Sequence, residues 1–334
     1  MIIKSIKLTN FRNHTSYSLE CKDETSLILG QNGCGKTSVL EAIYILTRGK
    51  SFRATDAEII KRGASFYRIE LNYTSGESTI ATYDGKTKSF SSLGKKTKRL
   101  STKSKYPIIL FLPSDLNLIS HAPGRRRDYF DFIISELDGS YSSNLSKYKK
   151  ALRQRNELLK KESTTKDTLF SWNLLLAKYG TKICQTRHHY IERINTKLTP
   201  IYHTIADNQD LVEIVYQSEA FNQSEQNYLN TLEYNFARDQ ILGHTSFGVH
   251  RDDYLFKFNN KPAAGSASRG ETRSIILALK FIEARLIEET LNQKPLILLD
   301  DVFSELDDSR RQSLIENFKN HQVIITSVER ISKY

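Results

Sequence analysis

Cysteine is scarce in this 334-residue chain, and the three present, Cys21, Cys34 and Cys184, sit at unrelated spacings. Their odd number and the lack of any C-x-x-C pair exclude a disulfide frame and a thiolate zinc site. Long apolar runs are missing too: nothing approaches the roughly 18 residues of a membrane span. The opening stretch, MIIKSIKLTNF, alternates apolar and polar residues and has no secretory apolar core. A cytoplasmic setting without a membrane partner is therefore expected. No internal repeat or sustained heptad is visible, which excludes long coiled-coil arms.

Acid is missing locally. Lys86 to Lys105, KTKSFSSLGKKTKRLSTKSK, contains no Asp or Glu but carries Lys86, Lys88, Lys95, Lys96, Lys98, Arg99, Lys103 and Lys105. Arg125-Arg126-Arg127 is a second basic group, and SKYKKALRQRNELLKK a third, with Lys147, Lys149, Lys150, Arg153, Arg155, Lys160 and Lys161. Over the whole chain, 49 Lys plus Arg against 38 Asp plus Glu give a net charge of +11. Such clusters suit a polyanion that releases counterions on binding. They equally suit a solvated hairpin and a solvated helix face.

What is present is sharper. The apolar run Leu27-Ile28-Leu29 leads into GQNGCGKTSVLEAIYIL, where Val39, Leu40, Ile43 and Leu46 recur at helical spacing. Strand, glycine-rich turn and helix, with Gly30, four residues, then Gly35-Lys36-Thr37, form the phosphate-binding pattern in its expected context. Glycines let successive backbone N–H groups face an anion, and the helix adds its positive dipole end. Gly30, Gln31, Asn32, Gly33, Cys34, Gly35, Lys36, Thr37 and Ser38 are the expected nucleotide contacts. Lys36 should face solvent without ligand and reach the β- and γ-phosphates with it, while the Thr37 hydroxyl suits Mg²⁺. A nucleoside triphosphate with Mg²⁺ is the expected ligand.

Downstream, PLILLDDVFSELD is a continuous apolar strand ending in Asp300 and Asp301. A parallel strand buried on both faces reads this way, and ligands gather at its carboxyl end. Asp300 suits the metal, and Asp301 the attacking water. In SASRGETRS, Ser268 and Glu271 have capping-box spacing before an apolar helix, so Ser268 Oγ and the Gly270 N–H can also be offered to phosphate. His250 in GVHRDD is open between a catalytic role and a buried structural network.

Pattern also sets the organisation. Residues 1–112 read as strands around one long helix. From Pro113 the texture turns helical, with a basic helix to Lys161 and a long one through Leu198. Residues 211–216 and 246–258 read as strands, followed by helix, strand, helix, strand. The expected fold class is α/β, a P-loop NTPase head resembling ABC ATPases with a mainly helical second lobe. Residues 1–112 and 246–334 are the expected ATPase lobe and 113–245 the helical lobe, with a signature segment near 265–274.

KLTNFRNH, GQNGCGKTSVLEAIY, PSDLNLI followed by GRRRDYFD, GVHRDD, SRGETRS and LLDDVFSELD together resemble the RecF family of DNA repair and replication proteins, ABC-type ATPases related to SMC heads. The resemblance runs almost end to end. It implies ATP and DNA binding, an ATP-dependent homodimer, slow DNA-stimulated hydrolysis, and RecA loading at gaps with RecO and RecR. It carries Lys36 and Asp301 over as catalytic residues, Ser268 as one acting in trans, Gly270 as a signature residue and Arg12 as a nucleotide contact. With DNA binding so implied, the acid-free run and the basic helix make Lys95, Lys96, Lys98, Arg99, Lys149 and Lys150 the expected DNA contacts. Arg269 and Glu271 stand where the family usually has glutamines, and Ile324-Ile325-Thr326-Ser327 where transporters keep a switch histidine. An ABC-type subunit coupled to another machine, or an ATP-binding scaffold without turnover, are the alternatives.

Overall fold

The computed structural model describes residues 2–92, 94–101 and 105–328. The chain divides into two compact units, Met1–Asp115 with Ile287–Tyr334, and Leu116–Leu286.

The first unit opens with β1 (Ile3–Phe11), β2 (His14–Glu20), β3 (Thr25–Leu29), α1 (Lys36–Arg48) and a short α2 (Asp56–Ile59). It continues through β4 (Tyr67–Tyr73), β5 (Ser78–Tyr83), β6 (Lys88–Ser92), β7 (Lys95–Thr97) and β8 (Ile108–Phe111). The second unit holds α3 (Pro123–Leu137), α4 (Gly139–Leu159), α5 (Lys166–Ala206), β9 (Val212–Gln217), α6 (Glu225–Tyr234), α7 (Phe236–Leu242), β10 (Asp253–Phe258), β11 (Lys261–Pro262) and α8 (Ala263–Ser266). Helix α9 (Arg269–Leu291) carries the chain back to the first unit, which closes with β12 (Leu296–Asp300), α10 (Asp308–Phe318) and β13 (Val323–Ser327).

Two sheets build the first unit. An antiparallel sheet runs β2-β1-β4-β5-β6-β7, and a parallel one β3-β13-β12-β8. Every residue of β12 and β13 is buried, in keeping with the apolar runs Leu296–Leu299 and Val323–Ile325 that open them. Helix α1 packs against strands of both sheets and is buried from Ser38 through Thr47. A helix enclosed on all sides must be apolar all round, which VLEAIYIL satisfies except at Glu41.

In the second unit, β10 pairs antiparallel with β9, Tyr254 opposite Tyr216. Residues 246–286, expected with the ATPase lobe, thus fall in the second unit; residues 329–334 of that lobe lie outside the described residues. Of the expected strand 246–258 only Asp253–Phe258 is extended. Helix α5 runs past the expected end at Leu198 to Ala206, with Pro200 inside it. An interior proline costs about 3 kcal/mol. Burying Ile201, Tyr202 and Ile205 returns about 1.5–3 kcal/mol each, so tertiary packing outweighs the break.

Two arginines organise this unit from inside. Arg155 is fully buried; it donates to Asp239 (2.7 Å), Asn173 (2.7 Å) and Thr245 (2.8 Å). Arg187 donates to Asp131 (2.8 Å), Asp252 (2.7 Å) and the Val249 carbonyl (2.7 Å). Arg126 grips Asp253 through two 2.7 Å bonds, and Arg127 donates to the Asp252 carbonyl at 2.6 Å. Arg126, Arg127 and Arg155, which stand in the basic clusters expected to suit a polyanion, do not serve that role, because their guanidiniums bind internal partners.

GVHRDD is the anchor for much of this. At Gly248, φ is 127° and a Cβ would lie 2.3 Å from Tyr228 Oη, so no other residue fits. His250 Nε2 meets the Thr245 carbonyl at 3.0 Å and therefore carries the hydrogen, leaving Nδ1 to accept from Tyr148 Oη at 2.9 Å. Burial pushes the imidazole from its ordinary 6.5 down to about 4, with Arg251 and Arg127 acting the same way. His250 is thus a neutral member of a structural chain. Its depressed value means that its contribution to stability is complete above pH 6.5 and is lost as pH falls towards 4. Urea denaturation across that window should show a shallower pH dependence for His250→Gln than for the parent. Superimposable slopes would contradict this assignment.

Candidate functional site

Helix α1 starts without the usual protection. Its N-cap, Gly35, offers no side-chain bond, and its first turn holds no acid. By contrast Asp138, Thr165, Ser224 and Asp307 cap α4, α5, α6 and α10 through their side chains. The first N–H groups of α1 are therefore available to an anion. Gly35 has φ 101°, and a Cβ there would lie 2.3 Å from His14 Nε2 and 2.6 Å from Asn13 Oδ1. The hairpin between β1 and β2 braces the loop at that place: Asn13 Nδ2 donates to the Gly33 carbonyl at 3.1 Å and His14 Nε2 to that of Gly35 at 3.2 Å. Gln31, Asn32, Gly33 and Cys34 are exposed, Gly30 and Thr37 half-buried, and Ser38 buried.

Lys36 departs from expectation. It is buried, not solvent-facing: Nζ donates to the carbonyls of Gly30 (2.7 Å) and Gln31 (3.2 Å) and lies 3.5 Å from Asp301 Oδ2. The loop curls round the ammonium because its carbonyls replace water as acceptors.

Parallel pairing brings the distant carboxylates to this loop. Thr37 Oγ1 lies 2.8 and 3.0 Å from the two oxygens of Asp300, 263 residues away in sequence. The β12–β13 register sets Asp300 beside Thr326, whose hydroxyl donates to Asp300 Oδ1 at 2.9 Å. Burial raises the Asp300 carboxyl while the bonds from Thr37 and Thr326 oppose that rise. Asp301 adopts a left-handed backbone, φ 49°, and its N–H donates to Thr326 Oγ1 at 2.9 Å. Its buried Oδ1 has no protein partner. Thr326 thus steadies the Asp300 carboxylate and the Asp301 backbone from the neighbouring strand. Single-chain pattern could not show this, since it depends on strand register.

Lys36, Thr37 and Asp301 face a cleft of about 590 Å³ lined also by Arg12, Asn13 and Arg53, all in the first unit. Asn13 and Arg53 were not among the expected site residues. Hard oxygen donors from a hydroxyl and a carboxylate, beside an orphaned carboxylate oxygen, fit Mg²⁺. Among the described residues no group of three or more His, Cys, Asp or Glu could hold a metal.

Ser268 lies in the second unit. It forms the expected capping box with Glu271: Ser268 N donates to Oε2 at 2.6 Å and Glu271 N to Ser268 Oγ at 3.2 Å. The Glu271 carboxylate is thereby turned back onto the cap. Ser268 and Arg269 are exposed and Gly270 is half-buried. Lys95, Lys96, Lys98 and Arg99 are exposed on and beside the edge strand β7. Lys149 and Lys150 are exposed on α4 in the other unit, with Lys149 Nζ 3.8 Å from Asp131. Lys103 lies outside the described residues.

Fold and site together define a P-loop ATPase head. The family described as AAA ATPase domain matches residues 1–328. The DNA replication and repair protein RecF of Lachnoclostridium phytofermentans is 33% identical over 98% of this chain and 92% of its own, and that of Clostridium perfringens 32% over 100% and 95%. A solved structure of the recombination mediator protein RecF with ATP, in the RecFOR pathway, superimposes with a TM-score of 0.88 at 30% identity, covering 99% of this chain and 93% of that one. An SMC head bound to the C-terminal winged-helix domain of ScpA shares the fold at TM-score 0.56 and 14% identity. The chain belongs to the RecF family of DNA replication and repair proteins. No helix among the described residues is long and apolar enough to cross a membrane.

Proposed function

We propose that this protein is a cytoplasmic, ATP-dependent DNA-binding protein of recombinational repair and replication. It binds ATP with Mg²⁺ at the Gly30–Thr37 loop, dimerises with ATP, and hydrolyses it slowly when stimulated by DNA. The dimer assists RecA loading at gaps with RecO and RecR. The observation that carries this reading is the 2.8 Å contact between Thr37 and Asp300, which sets a hydroxyl and a carboxylate together beside the uncapped helix start.

The roles follow from the chemistry. Thr37 and Asp300 would hold Mg²⁺, which neutralises charge building on the phosphates. Lys36 and the α1 N–H groups hold the β- and γ-phosphates. Asp301 orients the attacking water and accepts its proton. Ser268 and Gly270 serve a nucleotide held by the loop of a second copy, an isologous pairing that buries two ATP molecules.

DNA contact falls to Lys95, Lys96, Lys98 and Arg99, with Lys149 and Lys150 as a second group. Among the described residues no ion pair holds Lys95, Lys96, Lys98 or Arg99, and edge-strand lysines also discourage sheet-to-sheet aggregation. Binding to duplex DNA should ignore base sequence and fall steeply with salt. Reversing charge at Lys95, Lys96 and Lys98 should lower the log–log salt slope by roughly two to three. An unchanged slope would assign these lysines to edge protection alone.

ATP turnover and oligomer mass, each measured with and without duplex DNA, test the reading as a whole. ATP should raise the mass to a dimer and DNA should raise turnover. ATP binding without turnover under every condition would favour a scaffold.

A further inference from the structure

Helix α1 is enclosed by two sheets, and an acid inside it needs an explanation: Glu41 is fully buried. Its two oxygens accept from Arg12 Nη2 (2.7 Å) and Nε (2.9 Å), from Arg53 Nη2 (2.9 Å) and Nε (3.1 Å), and from Ser51 Oγ (2.6 Å). Burial pushes the Glu41 carboxyl up, yet the bonds from Arg12, Arg53 and Ser51 prevail and hold it below its ordinary value. One carboxylate thus answers two guanidiniums, leaving net positive charge at the rim of the cleft that holds Lys36.

The backbone is bent to suit. Arg12 is the first of two residues linking Phe11 to His14, and its φ of 55° lies where glycine is favoured. A side chain is kept there at the expense of backbone ease, which happens where the side chain has work to do. After α1, Ser51 Oγ accepts from Arg53 N (3.0 Å) and Ala54 N (3.1 Å) while donating to Glu41, folding that segment onto the same carboxylate. Each guanidinium has five N–H donors; Glu41 engages two on each, Arg12 Nη1 also donates to the Glu58 carbonyl (3.2 Å) and Arg53 Nη2 to Ser38 Oγ (3.5 Å), which leaves two on each side chain.

We infer that Glu41 is a positioning residue for the triphosphate: it fixes Arg12 and Arg53 on the cleft rim so that their remaining donors meet the phosphates. The inference rests on the proposal that the loop holds ATP. Glu41 itself touches no ligand; it acts through the two arginines.

Titration with a fluorescent ATP analogue tests it, alongside melting of the ligand-free protein. Glu41→Gln keeps the volume and removes the charge. Its affinity should fall roughly tenfold, the value of one charge-assisted bond. Arg53→Lys should cost a similar factor alone and little more in the Glu41→Gln background, because both act on one arrangement. A folded Glu41→Gln protein with parental affinity, or fully multiplicative losses in the double variant, overturns the inference and confines Glu41 to stability. Should Glu41→Gln fail to fold, Arg53→Lys decides: lysine cannot form both bonds, so parental affinity there is equally fatal. A parent that binds no ATP would instead sink the nucleotide reading, and this inference with it.

Discussion

Lys36→Ala should weaken ATP binding by roughly 100-fold, the loss of two charge-assisted contacts to phosphate at about 1.5 kcal/mol each. The ammonium is seated inside the loop itself, where it donates to the Gly30 and Gln31 carbonyls. The α1 N–H groups and the rim arginines remain in the variant, but they sit on the loop's edges and cannot replace a charge at its centre. The substitution is not silent without ligand. Lys36 is buried and bonded, so the ligand-free variant should also lose about 1 kcal/mol of stability. Equilibrium titration with ATP and urea denaturation without it separate the two effects. Parental affinity in Lys36→Ala would mean that the loop does not hold the triphosphate.

The loop was legible because its information is local. Strand, turn and helix are contiguous in GQNGCGKTSVLEAIYIL, and the glycine, lysine and threonine stand at set offsets within it. Asp300 and Asp301 were legible for a similar reason: an unbroken apolar strand ending in acid has few explanations beside a phosphate loop. Ser268 and Glu271 formed the cap that their three-residue spacing implies.

What escaped the sequence was decided over long distances. Arg155 and Arg126 sit in basic runs that look solvated, yet their partners Asp239 and Asp253 lie far along the chain. Charge counting cannot distinguish a surface arginine from a buried one until its carboxylate is placed. Thr326 matters because β13 lies beside β12 in one register, and a shift of one residue would point it elsewhere. Glu41 reads as an ordinary polar position of an amphipathic helix. It becomes informative only once both sheets are seen to enclose α1. The helix expected to end at Leu198 continues through Pro200 because burial of Ile201, Tyr202 and Ile205 outweighs the break.

The second large effect concerns where the site is completed. Ser268 and Lys36 fall in different units of the chain, and Ser268 is exposed at the start of a capped helix with its hydroxyl hydrogen free to donate. If Ser268 serves the nucleotide of a second copy, Ser268→Arg should bind ATP with parental affinity yet neither dimerise nor turn it over. Lys36→Ala should fail at the earlier step, binding. Asp301→Asn is the counterpart: it should keep ATP and slow its hydrolysis, prolonging the dimer.

Mixing the first two variants tests this claim most directly. A mixed dimer joins the intact loop of the Ser268→Arg chain to the intact serine of the Lys36→Ala chain, making one competent site and one dead one. Neither variant pairs with itself, so in an equimolar mixture every dimer is mixed and has one of two sites, and ATP turnover should rise towards about half the parent's as pairing saturates. That recovery should grow with protein concentration. Turnover no higher than the sum of the two variants alone, or parental turnover by Ser268→Arg by itself at every concentration, would contradict a site completed in trans.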